Sequence, residues 1–149
     1  MADLYVGLVH YPIYNKRMQV IASAVTNFDI HDISRTCRTY DVRRYYIIHP
    51  LDVQRDIIKK IIGYWQEGYG RTYNPDRSNA LDIVCWQADI EAAAQDIEAQ
   101  TGKRPYIVTT DARIYPTQFP MALCVSSCKR GTDQSSYFLA LGLALKQRP

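Results

Sequence analysis

The sequence predicts an α/β domain, a parallel sheet flanked by helices. Short apolar runs rich in Val, Ile and Tyr recur along the chain, and stretches with the 3.6-residue period of an amphipathic helix separate them. Parallel neighbours need a crossover connection, and the intervening helices are long enough to supply one. The 149 residues suffice for one such core and not for two.

Leu4 to Val9 (LYVGLV) reads as a buried strand closed by Tyr11 and Pro12, and Gln19 to Val25 (QVIASAV) as a second extended segment. A helix follows over residues 30–40. Asp29 is its expected N-cap with Asp32 at N3, and Ile30, Ile33, Cys37 and Tyr40 form one apolar stripe. Arg44 to His49 (RYYIIH) is a strand. After Pro50, the positions Val53, Ile57, Ile58, Ile61, Ile62 and Trp65 trace an amphipathic helix over 53–66 that stops before Gly68 and Gly70. Leu81 to Trp86 (LDIVCW) is the next strand, Asp89 to Gln100 a helix ended by Gly102, and Pro105 to Thr110 (PYIVTT) a further strand. No internal repeat or low-complexity linker interrupts this order.

The composition is that of a globular protein, with 47% apolar and 22% charged residues. A net charge of +3 neither demands nor excludes nucleic acid as a partner. No basic stretch precedes a long apolar run at the N-terminus, and no segment approaches the roughly 18 apolar residues of a membrane span, so a cytoplasmic location without a membrane partner is expected. The four cysteines, Cys37, Cys85, Cys124 and Cys128, show no CxxC spacing. Cys37 and Cys85 read as buried thiols, and neither a metal nor a disulfide framework is indicated.

The segment NFDIHDISRTCRTYDVRRYYI (Asn27 to Ile47) carries the most charge. At about 100° per residue, His31, Arg35 and Arg38 fall within a quarter-turn of one another, opposite the apolar stripe. Arg43 and Arg44 follow at the mouth of the next strand, so one edge of the sheet is expected to present four guanidinium groups suited to bidentate phosphate contacts. The competing reading is a solvated helix face with Asp32 and Arg35 as an i, i+3 pair. Asn27 is equally open, since an Asn between strand and helix often serves only as a turn or cap residue.

The order "N…RTCRTYDVRRYYII" resembles the first motif of the SPOUT class of knotted RNA methyltransferases. The wider run "LYVGLVHYP…VTNFDIHDISRTCRTYDVRRYYIIHPLDVQ", with "GYWQEGYGRTYNP" and "EAQTGKRPYIVTTDAR", is similar to an uncharacterised bacterial branch of that class over about Leu4 to Pro116. The resemblance implies an α/β knot, a homodimer, an RNA partner (tRNA or rRNA) and methyl transfer from S-adenosylmethionine to a base or ribose. It assigns Asn27 to shaping the active site and Arg35 to the RNA and the reacting group. Arg38, Arg43 and Arg44 become the RNA contacts. The loop Thr109 to Arg113 (TTDAR) resembles the first of three cofactor loops, with Thr109, Thr110 and Arg113 as its binding residues. A guanidinium cannot serve as a base at neutral pH, but it can hold a phosphate or favour loss of a proton nearby. Asp41 stands where the family pattern has Gly, a departure that touches the turn and not the site.

After Pro116 the likeness in motifs stops. The family continues with a Gly-rich "LLLFGTG" loop and a segment closing the knot, whereas here "TQFPMALCVSSCKRGTDQSSYFLALGLALKQRP" mixes helix, strand and turn signals. Read from the third base of the Pro116 codon, degenerate codons for this tail permit "NTVSY", then "LR", then "LLLQAGDRPVLLLFGTGFGL". The expectation is a methyltransferase domain over 1–116 and a frameshifted or divergent tail over 117–149, without the knot and without turnover. Cys124 and Cys128 would then be accidents of frame. The alternative for the tail is a real divergent segment in which "SSYFLALGLALK" forms a terminal helix or strand. The alternative for function is a non-catalytic RNA-binding module. A nucleotide-binding domain of unrelated chemistry is disfavoured, because no GxGxxG or P-loop follows any strand.

Overall fold

The computed structural model describes residues 3–110 and 137–142. In chain order they form β1 (Leu4–Val9), β2 (Ile13–Tyr14), β3 (Val20–Ile21), α1 (Asn27–Thr39), β4 (Arg44–Ile48), α2 (Asp52–Gln66), α3 (Tyr69–Tyr73), α4 (Pro75–Leu81), β5 (Val84–Gln87), α5 (Ile90–Thr101), β6 (Tyr106–Thr110) and β7 (Tyr137–Gly142). Five strands build one parallel sheet in the order β5-β4-β1-β7-β6, and β2 and β3 form a separate antiparallel hairpin. The α/β class expected from sequence is the observed one.

Alternate residues of the strands feed two cores, as the pleat requires. Val6 of β1, Tyr45 and Ile47 of β4 and Val84 of β5 pack with Ile30 and Cys37 of α1, Ile58 of α2 and Leu81 of α4. Tyr5, Val9, Tyr46 and Ile48 point the other way and meet Ala93 and Ile97 of α5. Burial of Cys37 raises its thiol pKa to about 11, so it is an inert core group.

Several elements differ from the sequence expectation for identifiable reasons. Helix α1 starts at Asn27, because Thr26 caps it: the Asp29 N–H donates to Thr26 Oγ1 (3.3 Å) and the Thr26 N–H to Asp29 Oδ2 (2.8 Å). This reciprocal capping box makes Asp29 the N3 residue and not the cap. Tyr40 is 72% exposed, because the helix ends at Thr39 and turns away from the core. Leu81 closes α4 and does not open a strand; Asn74 caps α4 from its side chain, with Pro75 in the first turn. Val53 and Ile57 stay exposed, since the apolar stripe of α2 is wider than the surface it covers. Asp41 lies at φ 53°, in the left-handed region where the family's Gly fits without strain.

Within the segment after Pro116, the described residues form β7, which lies between β1 and β6. Its backbone pairs Val9 with Gly142 and Thr110 with Leu141. This is the strand option for "SSYFLALGLALK". Arg113, Cys124, Cys128 and the segment expected to close the knot lie outside the described residues.

Candidate functional site

The carboxyl ends of all five parallel strands lie along one edge, and strand order reverses between β1 and β7. Open α/β sheets bind ligands at such a place. The chain leaving β1 there begins with His10, whose N–H donates to Ile48 O (3.0 Å) and whose carbonyl accepts from the Ser23 N–H (3.0 Å). His10 Nδ1 lies 2.8 Å from Ser23 Oγ, and its Nε2 lies 3.7 Å from Asp29 Oδ2 at the start of α1. The buried Tyr45 hydroxyl donates to Asp29 O (3.0 Å), which ties the first turn of α1 to β4. Asn27 is therefore set at the carboxyl edge, exposed, on a helix end held from three sides.

His49 completes this edge. Its Nδ1 accepts from the Leu51 N–H (3.1 Å), so the proton sits on Nε2, which donates to Ser23 O (3.2 Å). Burial lowers the pKa of both His10 and His49, with the Asp29 carboxylate partly offsetting the effect at His10. A shallow cavity of about 380 Å³ opens beside them, lined by Tyr11, Pro12, Pro50, Ala88, Asp89, Ile90 and Glu91.

The arginines lie toward the amino edge of the sheet, away from Asn27. Arg35 lies midway along α1, half-exposed and paired with Asp32. Arg38 is in the last turn, exposed and without a side-chain ion pair among the described residues. Arg43 and Arg44 stand at the opposite, amino edge: Arg43 Nε donates to Asp3 Oδ1 (2.9 Å), and Arg44 Nη1 reaches Cys85 Sγ (3.4 Å) and lies 3.6 Å from Asp96 Oδ2. Asp96 also accepts from the Tyr46 hydroxyl (2.6 Å), and this contact and burial push the phenol pKa up. Arg44 thus supports the join between β4 and α5. Eleven positions of helix, about 16 Å, separate Asn27 from Arg38.

His31 does not face away from the core either. Its ring meets Trp65 edge-on at 5.7 Å, and the Arg77 guanidinium covers Trp65 at 4.7 Å. Burial, with Arg77 and Arg35 nearby, lowers the His31 pKa. The helical wheel misplaced it because α4, and Trp65 of α2, pack against the flank of α1.

Thr109 and Thr110 end β6 on the carboxyl edge, two strands from β1 and roughly 10 Å away at the usual spacing. Thr109 is exposed and Thr110 half-buried. Both threonines thus stand at the carboxyl end of a parallel strand, beside the end of β7. Among the described residues there is no group of His, Cys, Asp and Glu arranged to hold a metal ion. The Thr26/Asp29 box was legible as T-x-x-D, whereas the His10, Ser23, Asp29 and His49 contacts join residues up to 39 positions apart and leave no local signal.

The profile of the SAM-dependent RNA methyltransferase family matches residues 3–145. The chain belongs to this family. The match extends past Pro116 and takes in β7. The chain is 39% identical over 114 residues to an uncharacterized protein of Aquifex aeolicus (strain VF5), covering 76% of this chain and 56% of that protein. It is 42% identical over 111 residues to a tRNA (guanine-N(1)-)-methyltransferase of Oleidesulfovibrio alaskensis, covering 74% of this chain and 26% of the relative. A protein of the same name from Nitratidesulfovibrio vulgaris is 40% identical over 111 residues, again 26% of its length. The chain thus spans about half of the first relative and about a quarter of the other two. No helix among the described residues is long and apolar enough to cross a membrane.

Proposed function

We propose that this chain is the methyltransferase domain of an enzyme that transfers a methyl group from S-adenosylmethionine to RNA, with tRNA as the first substrate to test. The family match over residues 3–145 carries the reading, and the names of the two tRNA methyltransferase relatives suggest the RNA class. In this reading the domain adopts the SPOUT-class knot, pairs as a homodimer and works in the cytoplasm, where its RNA is.

When bound, the cofactor supplies an electrophilic methyl group on a sulfonium. Thr109, Thr110 and Arg113 would hold it. Asn27, at a helix end fixed by the capping box and by Tyr45, offers an amide to orient the target nucleotide. Arg35 exchanges Asp32 for RNA phosphate or for the developing charge of the nucleophile. An exposed i, i+3 pair is worth only about 0.3–0.5 kcal/mol, so this exchange costs little. Arg38 is the readiest phosphate contact; Arg43 and Arg44 contribute their outward charge while remaining bound to Asp3 and Asp96.

We propose further that the tail from Pro116 results from a change of reading frame, so that the Gly-rich cofactor loop, and with it cofactor binding and turnover, is lost. A version with the frame restored should transfer tritiated methyl from S-adenosylmethionine to bulk tRNA. Arg35→Ala in that version should abolish transfer yet leave cofactor affinity nearly intact. If affinity falls in step with activity, Arg35 supports the fold and leaves the site. RNA binding without transfer by the restored protein would favour the non-catalytic binding module.

A further inference from the structure

Helix α3 presents two tyrosines to solvent with little local cause. Its inward face is glycine: a Cβ on Gly70 would lie 2.7 Å from Cε3 of Trp65, and one on the preceding Gly68 2.7 Å from the carbonyl oxygen of Tyr64. That close approach to α2 turns the remaining side chains outward. The turn is fixed at its far end as well, because the Asn74 N–H donates to Gly70 O (2.9 Å) while the Asn74 side chain caps α4. Tyr69 and Tyr73 are 71% and 72% exposed, with ring centroids 6.2 Å apart and planes tilted by 28°. Tyr64, on the adjoining end of α2, is also exposed. Arg71 stands between the two rings in sequence, exposed and without an ion pair among the described residues.

We propose that α3 is a stacking platform for unpaired bases of RNA, with Tyr69 and Tyr73 as the stacking rings and Arg71 as the phosphate contact. Rings held by a rigid backbone lose little entropy when a base stacks on them, and every base offers a π-face, so such a surface tolerates sequence. The neighbouring charges are mixed but favour an anion. Between positions 59 and 77 the sequence carries four cations, Lys59, Lys60, Arg71 and Arg77, and two anions, Glu67 and Asp76. Arg77 already covers Trp65 beneath this surface, which leaves Arg71 the freer cation. The inference rests on the RNA reading above and adds a surface for single-stranded regions flanking the methylated nucleotide.

The test measures anisotropy of a labelled uridine-rich strand of about 12 nucleotides, a length within the usual site sizes of such surfaces, as salt is varied. The full chain is compared with Tyr69→Ala/Tyr73→Ala, Tyr69→Phe/Tyr73→Phe and Arg71→Ala, with circular dichroism confirming the fold of each. The double alanine variant should lose roughly 10- to 100-fold in affinity with an unchanged salt slope, and the double phenylalanine variant should bind like the parent. Arg71→Ala should lower the slope of log K by roughly 0.7. Equal affinity of parent and double alanine variant overturns the platform. Binding of folded tRNA but of no single strand also overturns it and leaves the RNA reading standing, whereas no binding to any RNA at low salt removes both. Sedimentation of the double alanine variant as a smaller species than the parent assigns the face to a second copy of the chain and likewise overturns the proposal.

Discussion

Strands β1, β4 and β5 lie between α1, α2 and α4 on one face and α5 on the other, whereas β6 ends the sheet with Tyr106 and Ile107 exposed. The covered half draws both of its cores from residues 4–101, almost all within one run of sequence. The open half depends on β7, which enters between β1 and β6 from beyond Pro116. Both cores and the arginine-bearing helix thus reside in one half, and the threonines proposed for the cofactor in the other. On this account, a change of reading frame at Pro116 spares the first half and strikes the second.

The sharpest way to break this contrast is to truncate one isoleucine in each half. Ile58→Ala removes a fully buried side chain from the α2 contact and should cost about 2–5 kcal/mol in urea unfolding. Ile107→Ala on the edge strand should cost less than about 1 kcal/mol. Comparable losses at the two sites would mean that the halves are equally closed.

The histidines sharpen the contrast by pH. The pKa values of His10, His31 and His49 are all lowered from 6.5 in the folded chain, mainly by burial, and all three lie in the covered half. The unfolded chain therefore binds more protons once pH falls to that value, and unfolding gains. Their contribution is fully present above about pH 7.5 and is lost as pH falls below 6.5 through the lowered folded values. Urea midpoints should drop between about pH 7.5 and 5.5, and His10→Gln should flatten that drop. A profile unchanged by His10→Gln would assign the pH dependence to other groups.

The smallest effect expected is a gain. Asp41 holds φ 53° between α1 and β4, and Asp41→Gly should stabilise the covered half by about 0.5–1 kcal/mol, since Gly adopts this conformation without the Cβ contact. A loss on this substitution would show that the Asp41 side chain makes up for its backbone.

Much of the covered half was legible in the sequence because its signals are local. The period of Ile58, Ile61, Ile62 and Trp65, the run YYII and the closing Gly102 each act within a few residues of themselves. The helix N-terminus was missed by three residues because Asp29 satisfies the pattern of a cap as readily as that of the third residue of a capping box led by Thr26. Helices α3 and α4 were missed because GYGRTYNPDRSN reads as turn chemistry, and only packing against Trp65 makes it helical. The arginine segment was legible as charge but not as geometry. Whether Arg44 is free depends on Asp96 and Cys85, more than 40 positions away. The place of β7 between β1 and β6 had no local signal at all.

The most direct test of the proposed division between an intact half and one altered by a change of reading frame is isothermal titration of S-adenosylmethionine into this chain and into a version with the frame restored from Pro116. The expected result is no binding heat for this chain and saturable binding for the restored one, with matching circular dichroism over the covered half. Micromolar binding by this chain would contradict the account: β7 and the tail around it would then complete the cofactor site without the Gly-rich loop.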